Sequence, residues 1–195
     1  MGKAKNIFAV IGVLALVLLV IAGVRGFTWY AAYRDLDPAA SGVYREMAQR
    51  LADSGSAAEA TIWKMPVEKD LTAEDVETAM KSAAVERNIK DVGELPLYKQ
   101  IEATTGKPYR FIKIYMFCNA MTAARMIEYD PAFSAFLPCR VTLMEGPDGK
   151  LWLYTLNMDL MIHGGKSLPP KLYEEAVQVR ETILAIMKRG ASGAF

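Results

Sequence analysis

The longest uninterrupted hydrophobic run in the chain stands near its beginning. From Ile7 to Val24 the sequence reads IFAVIGVLALVLLVIAGV and carries no charge. As an α-helix this run is about 27 Å long, close to the thickness of a bilayer's hydrocarbon core. Trp29 and Tyr30 follow it, and such aromatic rings favour the level of the lipid headgroups. The pattern predicts a transmembrane anchor within residues 1–34, and a cleaved signal peptide is the alternative.

Charges on either side of this run predict its orientation. Lys3 and Lys5 precede it, whereas Arg25 and Arg34 follow it, the latter beside acidic residues. Positive charge is usually in excess on the cytoplasmic side of a membrane span. We therefore expect a single-pass protein of a bacterial inner membrane, with its N-terminus in the cytoplasm and the following domain in the periplasm.

Hydrophobic periodicity changes after the anchor. In residues 35–59 apolar side chains recur at helical spacing, which predicts an amphipathic connector helix. In residues 60–195 some segments alternate between apolar and polar side chains, as strands do, and others keep helical spacing. The alternating segments predict strands at 60–67, 109–117, 139–145 and 150–156. The other periodic segments predict helices at 72–88, 120–128 and 170–190.

The order of these elements predicts the class of fold. Asp148 and Gly149 join the last two predicted strands, and an Asp-Gly pair between alternating runs is a strong hairpin signal. Residues 91–108 are polar and interrupted by glycine and proline, which predicts a loop with one helical turn. The chain therefore predicts a two-layer α+β domain with a mostly antiparallel sheet and helices on one face, in addition to the N-terminal transmembrane helix.

Three short blocks of this domain resemble a known family. They are Phe117-Cys118-Asn119-Ala120, Leu137-Pro138-Cys139-Arg140-Val141 and Asp148-Gly149-Lys150-Leu151-Trp152-Leu153-Tyr154. In this order, within residues 60–165, they are similar to the family catalogued as domain of unknown function 302. The resemblance implies a small α+β fold that often forms dimers, and it implies no particular reaction. Cys118 and Cys139 stand where that family is expected to have a glycine and a leucine.

Composition excludes some classes of function. The chain has 195 residues, with 23 basic and 22 acidic side chains and a net charge of +1. This balance lacks the basic excess of a nucleic-acid-binding surface. The sequence also has no zinc-ligand spacing, no nucleophile elbow and no phosphate-binding glycine loop. It therefore predicts no catalytic residue and no cofactor, and it favours a protein that is not an enzyme.

Cys118 and Cys139 are candidates for a disulfide. Each stands at the end of a predicted strand in phase with apolar residues, so both are expected to face the core. Outside the cytoplasm a disulfide between neighbouring strands would persist, and it would stabilise the fold by about 3 kcal/mol. Two buried free thiols, which behave as small hydrophobic side chains, are the alternative.

His163 is the one histidine of the chain, and Met158 and Met161 precede it. Imidazole and thioether groups bind copper and haem iron, so these three residues are weak candidates for a metal site. A histidine in a surface loop is the favoured interpretation. A redox protein that binds copper or haem is therefore the alternative function.

Protein binding is the function that the sequence favours. Phe111, Tyr115 and Phe117 share one face of the clearest predicted strand and are candidates for an exposed interface. Packing of these rings under a helix is the alternative. We expect a membrane-tethered, extracytoplasmic binding or accessory module that contacts the lipid bilayer and a protein partner. The partner would be a second copy in a homodimer or a larger membrane complex.

Overall fold

Helix α1 (Gly2–Tyr33) is the first element of the computed structural model, which describes residues 2–194. Its stretch Val10–Ala31 has a mean hydropathy of 2.5, and none of it is buried. By length and composition this stretch is a candidate membrane span, and a signal sequence passes the same test. The predicted anchor residues Val24, Trp29 and Tyr30 are exposed on this helix, and the side chain of Ile7 lies outside the described part.

Two helices connect α1 to the domain. Helix α2 spans Ala40–Ser54, and helix α3 spans Ala57–Ala60. The hydroxyl of Ser56 accepts a hydrogen bond from the backbone N–H of Glu59, which caps the start of α3. The segment predicted to hold one connector helix, residues 35–59, thus contains two helices.

The domain is built on a five-stranded sheet. Its strands in chain order are β1 (Ile62–Pro66), β2 (Lys90–Leu95), β3 (Ile112–Cys118), β4 (Cys139–Glu145) and β5 (Leu151–Leu156). Across the sheet the order is β1-β5-β4-β3-β2, and every neighbouring pair is antiparallel. The predicted hairpin joins β4 to β5, with Gly149 in its turn at a φ of +75°. This arrangement confirms the predicted α+β class.

Helices pack around this sheet. They are α4 (Ala73–Glu86), α5 (Leu97–Thr105), α6 (Ala120–Tyr129), α7 (Asp159–His163) and α8 (Pro170–Ser192), and a 3-10 helix spans Pro131–Phe136. Helix α4 begins with a capping box, in which Thr72 and Asp75 each accept a hydrogen bond from the other's backbone N–H. This reciprocal capping explains why α4 begins where the sequence predicts it.

The polar segment 91–108 differs from its prediction as a loop. It contains most of β2 and all of α5. Strand β2 lies at the edge of the sheet, and most of its residues are exposed. It therefore lacks the alternation of apolar and polar residues that reveals a half-buried strand in a sequence.

Helices α4 and α8 cover one face of the sheet. The large side chains buried there are Met80, Tyr115, Phe117, Val141, Leu143, Leu153, Ile183, Ile186 and Met187. Gly190 lets α8 approach this core closely, because a Cβ atom at this position would lie 2.6 Å from Cγ of Met80. Gly190 was predicted to end the helix, but α8 continues past it to Ser192.

The rings predicted to form an exposed interface belong to this core. Tyr115 and Phe117 are fully buried, and Phe111 packs against the same cluster. The prediction of an interface at these residues is wrong because the two long helices cover their face of β3. Both faces of this strand are largely apolar, so tertiary packing decides which one is buried.

Candidate functional site

An apolar cavity lies at the end of the sheet where β3 finishes and β4 begins. Its walls come from this end of the two strands, from α6 and the 3-10 helix, and from α7 and α8. Its volume is about 40 Å³. Five of the lining residues carry sulfur, namely Cys118, Met126, Cys139, Met158 and Met161. We call this space the sulfur-lined cavity, and both cysteines of the chain contribute to it.

The two cysteines are free thiols in the structure, which gives the predicted disulfide no support. Phe117, rather than Cys118, lies opposite Cys139 in the β3–β4 ladder. Cys139 belongs to the core under the helices, whereas Cys118, the last residue of β3, is half-buried outside that core and lines the rim of the cavity. The expectation that both cysteines lie in the core therefore holds for Cys139, whereas Cys118 is only half-buried.

Burial controls the acidity of these thiols. It raises the pKa of Cys139 to about 11, and it also raises the pKa of the half-buried Cys118. Both thiols are thus protonated at neutral pH, and neither has the lowered pKa of an activated nucleophile.

His163 does not share a site with the nearby methionines. Its Nδ1 atom lies 3.1 Å from a carboxylate oxygen of Asp37, and the edge of its ring faces Tyr173. Met158 and Met161 instead line the sulfur-lined cavity, to which His163 does not contribute. The three candidates for a metal site are therefore divided between two places. His163, which was expected to lie in a surface loop, is the last residue of α7.

Asp37 lies at the centre of the junction between α1 and the domain. Its carboxylate faces His163 and accepts hydrogen bonds from the hydroxyl of Ser167 and from the backbone N–H of Ala39. Although burial favours the neutral acid, these hydrogen bonds hold the pKa of Asp37 below its usual value. The backbone N–H of Asp37 also donates to the carbonyl of Gly165 at 2.9 Å.

A second hydrogen bond fixes the connector to the same loop. The hydroxyl of Tyr44, in α2, donates to the carbonyl of Gly164 at 2.5 Å. Leu36 forms an isolated antiparallel bridge with Lys166. The chain is therefore held against the domain within a few residues of Tyr33, where α1 ends.

A cluster of charged groups connects α4 to β2 and β3. Lys113 contacts Glu77 at 2.8 Å and Glu94 at 2.6 Å, and Lys81 pairs with the same two acids. The hydroxyl of Tyr115 donates to Glu77 at 2.9 Å. Burial alone would raise the pKa of Glu77, but hydrogen bonds from Lys113, Lys81 and Tyr115 lower it to about 2. These groups satisfy one another, which is typical of a structural network.

The second face of the sheet is half-exposed. Strand pairing places Ile112, Met144 and Trp152 in one row across three strands, and Ile114 and Tyr154 in the next. We call this surface the open sheet face. Its apolar side chains are Ile62, Leu95, Ile112, Ile114, Met116, Met144, Trp152, Tyr154 and Leu156. The sequence analysis does not predict this apolar face. The signal for it is that β3 and β5 carry apolar residues on both faces, as strands that are covered on both sides do.

Comparisons with known proteins identify the family of the domain. The family described as "Domain of unknown function DUF302" matches residues 63–190. An uncharacterized protein of Aquifex aeolicus (strain VF5) is 24% identical over 138 residues, which cover 70% of this chain and 89% of that protein. The family match begins within β1, so α1 and the connector lie outside it.

A solved structure shares the fold. It is the crystal structure of an uncharacterized conserved protein DUF302 from Bacillus stearothermophilus. It matches with a TM-score of 0.55 at 14% sequence identity, over 66% of this chain and 97% of that chain. This likeness supports the α+β architecture and carries no information about a ligand or a reaction.

Proposed function

This chain belongs to the DUF302 family, which is defined without an assigned function, and from this premise we propose that it is a membrane-tethered pairing module. In this proposal α1 spans a bacterial inner membrane and residues 35–194 lie on the periplasmic side. The domain catalyses no reaction of its own and serves as an accessory protein. Its partner is a second copy of this chain, which it meets through the open sheet face.

The open sheet face is the observation that carries this proposal. Three central strands present half-exposed apolar rows, among them Ile114 and Tyr154, to solvent. A contiguous apolar patch of this kind marks an interaction surface. Two charged side chains also lie on this face, namely Lys64, which pairs with Glu59 at 2.8 Å, and the exposed Arg140 near the start of β4. Two such faces can pack against each other about 10 Å apart, as the layers of a β-sandwich do.

The junction with α1 supports a second copy as the partner. Asp37 and Tyr44 tie the connector to the domain, so the domain would be held in a fixed orientation above the bilayer. Two copies anchored in one membrane would meet at a raised effective concentration and with related orientations. A two-fold axis perpendicular to the membrane would then bring identical faces together.

The mass of the full-length protein in lipid nanodiscs tests the pairing. We expect a dimer for the wild type, and a monomer for Tyr154→Lys, which places a charge in the centre of the open sheet face. Truncating a central interface residue costs about 2 kcal/mol, or roughly a 30-fold weaker association. The matched control is Val85→Lys, because Val85 is 80% exposed on α4, away from this face. A monomeric wild type, or a dimeric Tyr154→Lys, would contradict the proposal.

A separate experiment tests the orientation of the chain in the membrane. A protease-sensitive tag after residue 194 should be cleaved by an external protease in intact spheroplasts, because the proposal places the domain outside the cytoplasm. The mature protein should retain α1, which N-terminal sequencing would establish. Protection of the tag would refute the periplasmic location, and a mature chain that begins after Gly26 would identify α1 as a signal sequence.

A further inference from the structure

We infer that the sulfur-lined cavity binds one monovalent soft metal ion, Cu(I), through the thiolate of Cys139 and the thioethers of Met126, Met158 and Met161. Cys118 would lie at its entrance. The cavity lies on the helix-covered side of the sheet, so this inference does not depend on the proposed pairing through the open sheet face.

The donor chemistry is the first argument for Cu(I). Thiolate and thioether sulfurs are the soft ligands that select this ion. Among the described residues, no carboxylate and no imidazole lines the cavity. The polar lining residues are Asn119, whose side chain caps α6 by accepting from two backbone N–H groups, and Thr122. The carboxylates that bind calcium and magnesium, and the imidazoles that bind zinc beside thiolates, are thus missing from the described lining of the cavity.

Charge balance favours a monovalent ion over a divalent one. When Cu(I) binds, the Cys139 thiol releases one proton to solvent and a copper–sulfur bond forms, with no change of oxidation state. One thiolate cancels the single charge of the ion, and the thioethers add ligands without adding charge. The product is electrically neutral, which suits a cavity whose other walls are apolar. With Cys139 as the one thiolate, a divalent ion would leave a net positive charge buried there, because Cys118 lies at the half-buried entrance rather than among the buried donors.

The volume of the cavity gives an independent argument for a single ion as the ligand. Pockets for drug-sized ligands have volumes of roughly 300–1,000 Å³. The sulfur-lined cavity, at about 40 Å³, has room for an ion and no room for a haem. The haem alternative is therefore not accommodated in this cavity.

An entrance to the cavity exists beside Cys118. Met126, Cys139 and Met158 are each at least 91% buried, whereas Cys118 is half-buried and Phe136 is 40% exposed. An ion would meet the Cys118 thiol first and then pass to the buried sulfurs. This gradient from an accessible thiol to buried donors gives the two cysteines different roles.

Anaerobic competition with a chromogenic Cu(I) chelator tests the site in the detergent-solubilised, full-length chain. We expect one equivalent of Cu(I) to be withdrawn from the chelator. Removing a residue that hydrogen-bonds to a metal ligand weakens metal binding roughly 10- to 100-fold. Removing the ligand itself, the thiolate, in Cys139→Ser should therefore weaken Cu(I) binding by at least about 100-fold. Cys118→Ser should slow uptake with a smaller loss of affinity. X-ray absorption of the bound copper should show sulfur neighbours alone.

The control variants separate the site from adventitious binding. Met161→Leu keeps the volume of the side chain and removes its sulfur, so it should weaken binding about 10-fold. Met121→Leu is the matched control, since Met121 is 65% exposed on the same helix as Met126 and should bind as the wild type does. If Cys139→Ser does not fold, Met161→Leu carries the test. The inference is overturned if the wild type takes no copper from the chelator, or if Cys139→Ser or Met161→Leu binds as tightly as Met121→Leu.

Discussion

Replacing Glu77 by glutamine is expected to destabilise the domain in a pH-dependent way. The Glu77 carboxylate accepts hydrogen bonds from Lys113, Lys81 and Tyr115, and it connects α4 to the sheet. The side chain of Glu77 is 23% exposed and that of Lys113 is 15% exposed, so this pair is partly shielded from solvent. Glutamine retains the shape of the side chain and removes the charge that both lysines face.

The pKa of Glu77 gives the size of the expected loss of stability. Its fall from 4.5 to about 2 corresponds to roughly 3 kcal/mol in favour of the carboxylate, at about 1.4 kcal/mol for each tenfold change in the ionisation constant. Residual solvent contact screens part of this energy, and both lysines keep Glu94 as a partner. We therefore expect Glu77→Gln to lose about 2 kcal/mol of unfolding free energy at pH 7.

The sign of the pH dependence follows from the same values. The pKa of Glu77 is lower in the folded protein than in the unfolded chain, so folding favours the ionised form. Its contribution is complete above about pH 5.5, and it is lost as the pH falls through 4.5 towards 2. The difference in stability between the wild type and Glu77→Gln should therefore shrink from about 2 kcal/mol at pH 7 to near zero at about pH 2.

Urea unfolding of the full-length protein in detergent, followed by tryptophan fluorescence to which Trp63 and Trp152 of the domain contribute, measures this difference at each pH. Glu128→Gln is the control, because Glu128 is an exposed acid on α6 and its replacement should change the stability by less than about 0.5 kcal/mol. The reasoning is refuted if Glu77→Gln is as stable as this control at pH 7. It is also refuted if the loss stays constant down to the lowest pH.

Two further substitutions test the packing and the junction. Gly190→Ala should destabilise the domain by about 1–3 kcal/mol in the same unfolding assay, because its Cβ would lie 2.6 Å from a side-chain carbon of Met80. Gly165→Ala is its control, since nothing lies within 4 Å of a Cβ there, and equal stabilities would contradict the packing argument. Asp37→Asn should loosen the connector and speed limited proteolysis between α1 and α2, because it removes the charge that faces His163. Asp35→Asn, at an exposed position, should leave the cleavage rate unchanged, and equal rates in both variants would exclude a role for the Asp37 contacts.

Local patterns in the sequence determined a large part of this fold. The apolar run after Ile7 predicts a long helix, and the capping box at Thr72 and the turn at Gly149 fix the ends of α4 and of the β4–β5 hairpin. These features depend on residues that are near one another in the chain, whose spacing directly reflects the periods of helices and strands. The three blocks that resemble DUF302 proteins are also short local stretches, and they predicted the family. The family match over residues 63–190 confirms this prediction.

Tertiary structure alone decided which surfaces are covered and which residues meet. Both faces of β3 are largely apolar, so period-two alternation does not reveal that α4 and α8 bury Tyr115 rather than Ile114. The contact between Asp37 and His163 spans 126 positions of the chain, and the sulfur-lined cavity collects side chains from β3 through α8. Such contacts depend on how helices and strands pack in three dimensions, and no local spacing encodes them.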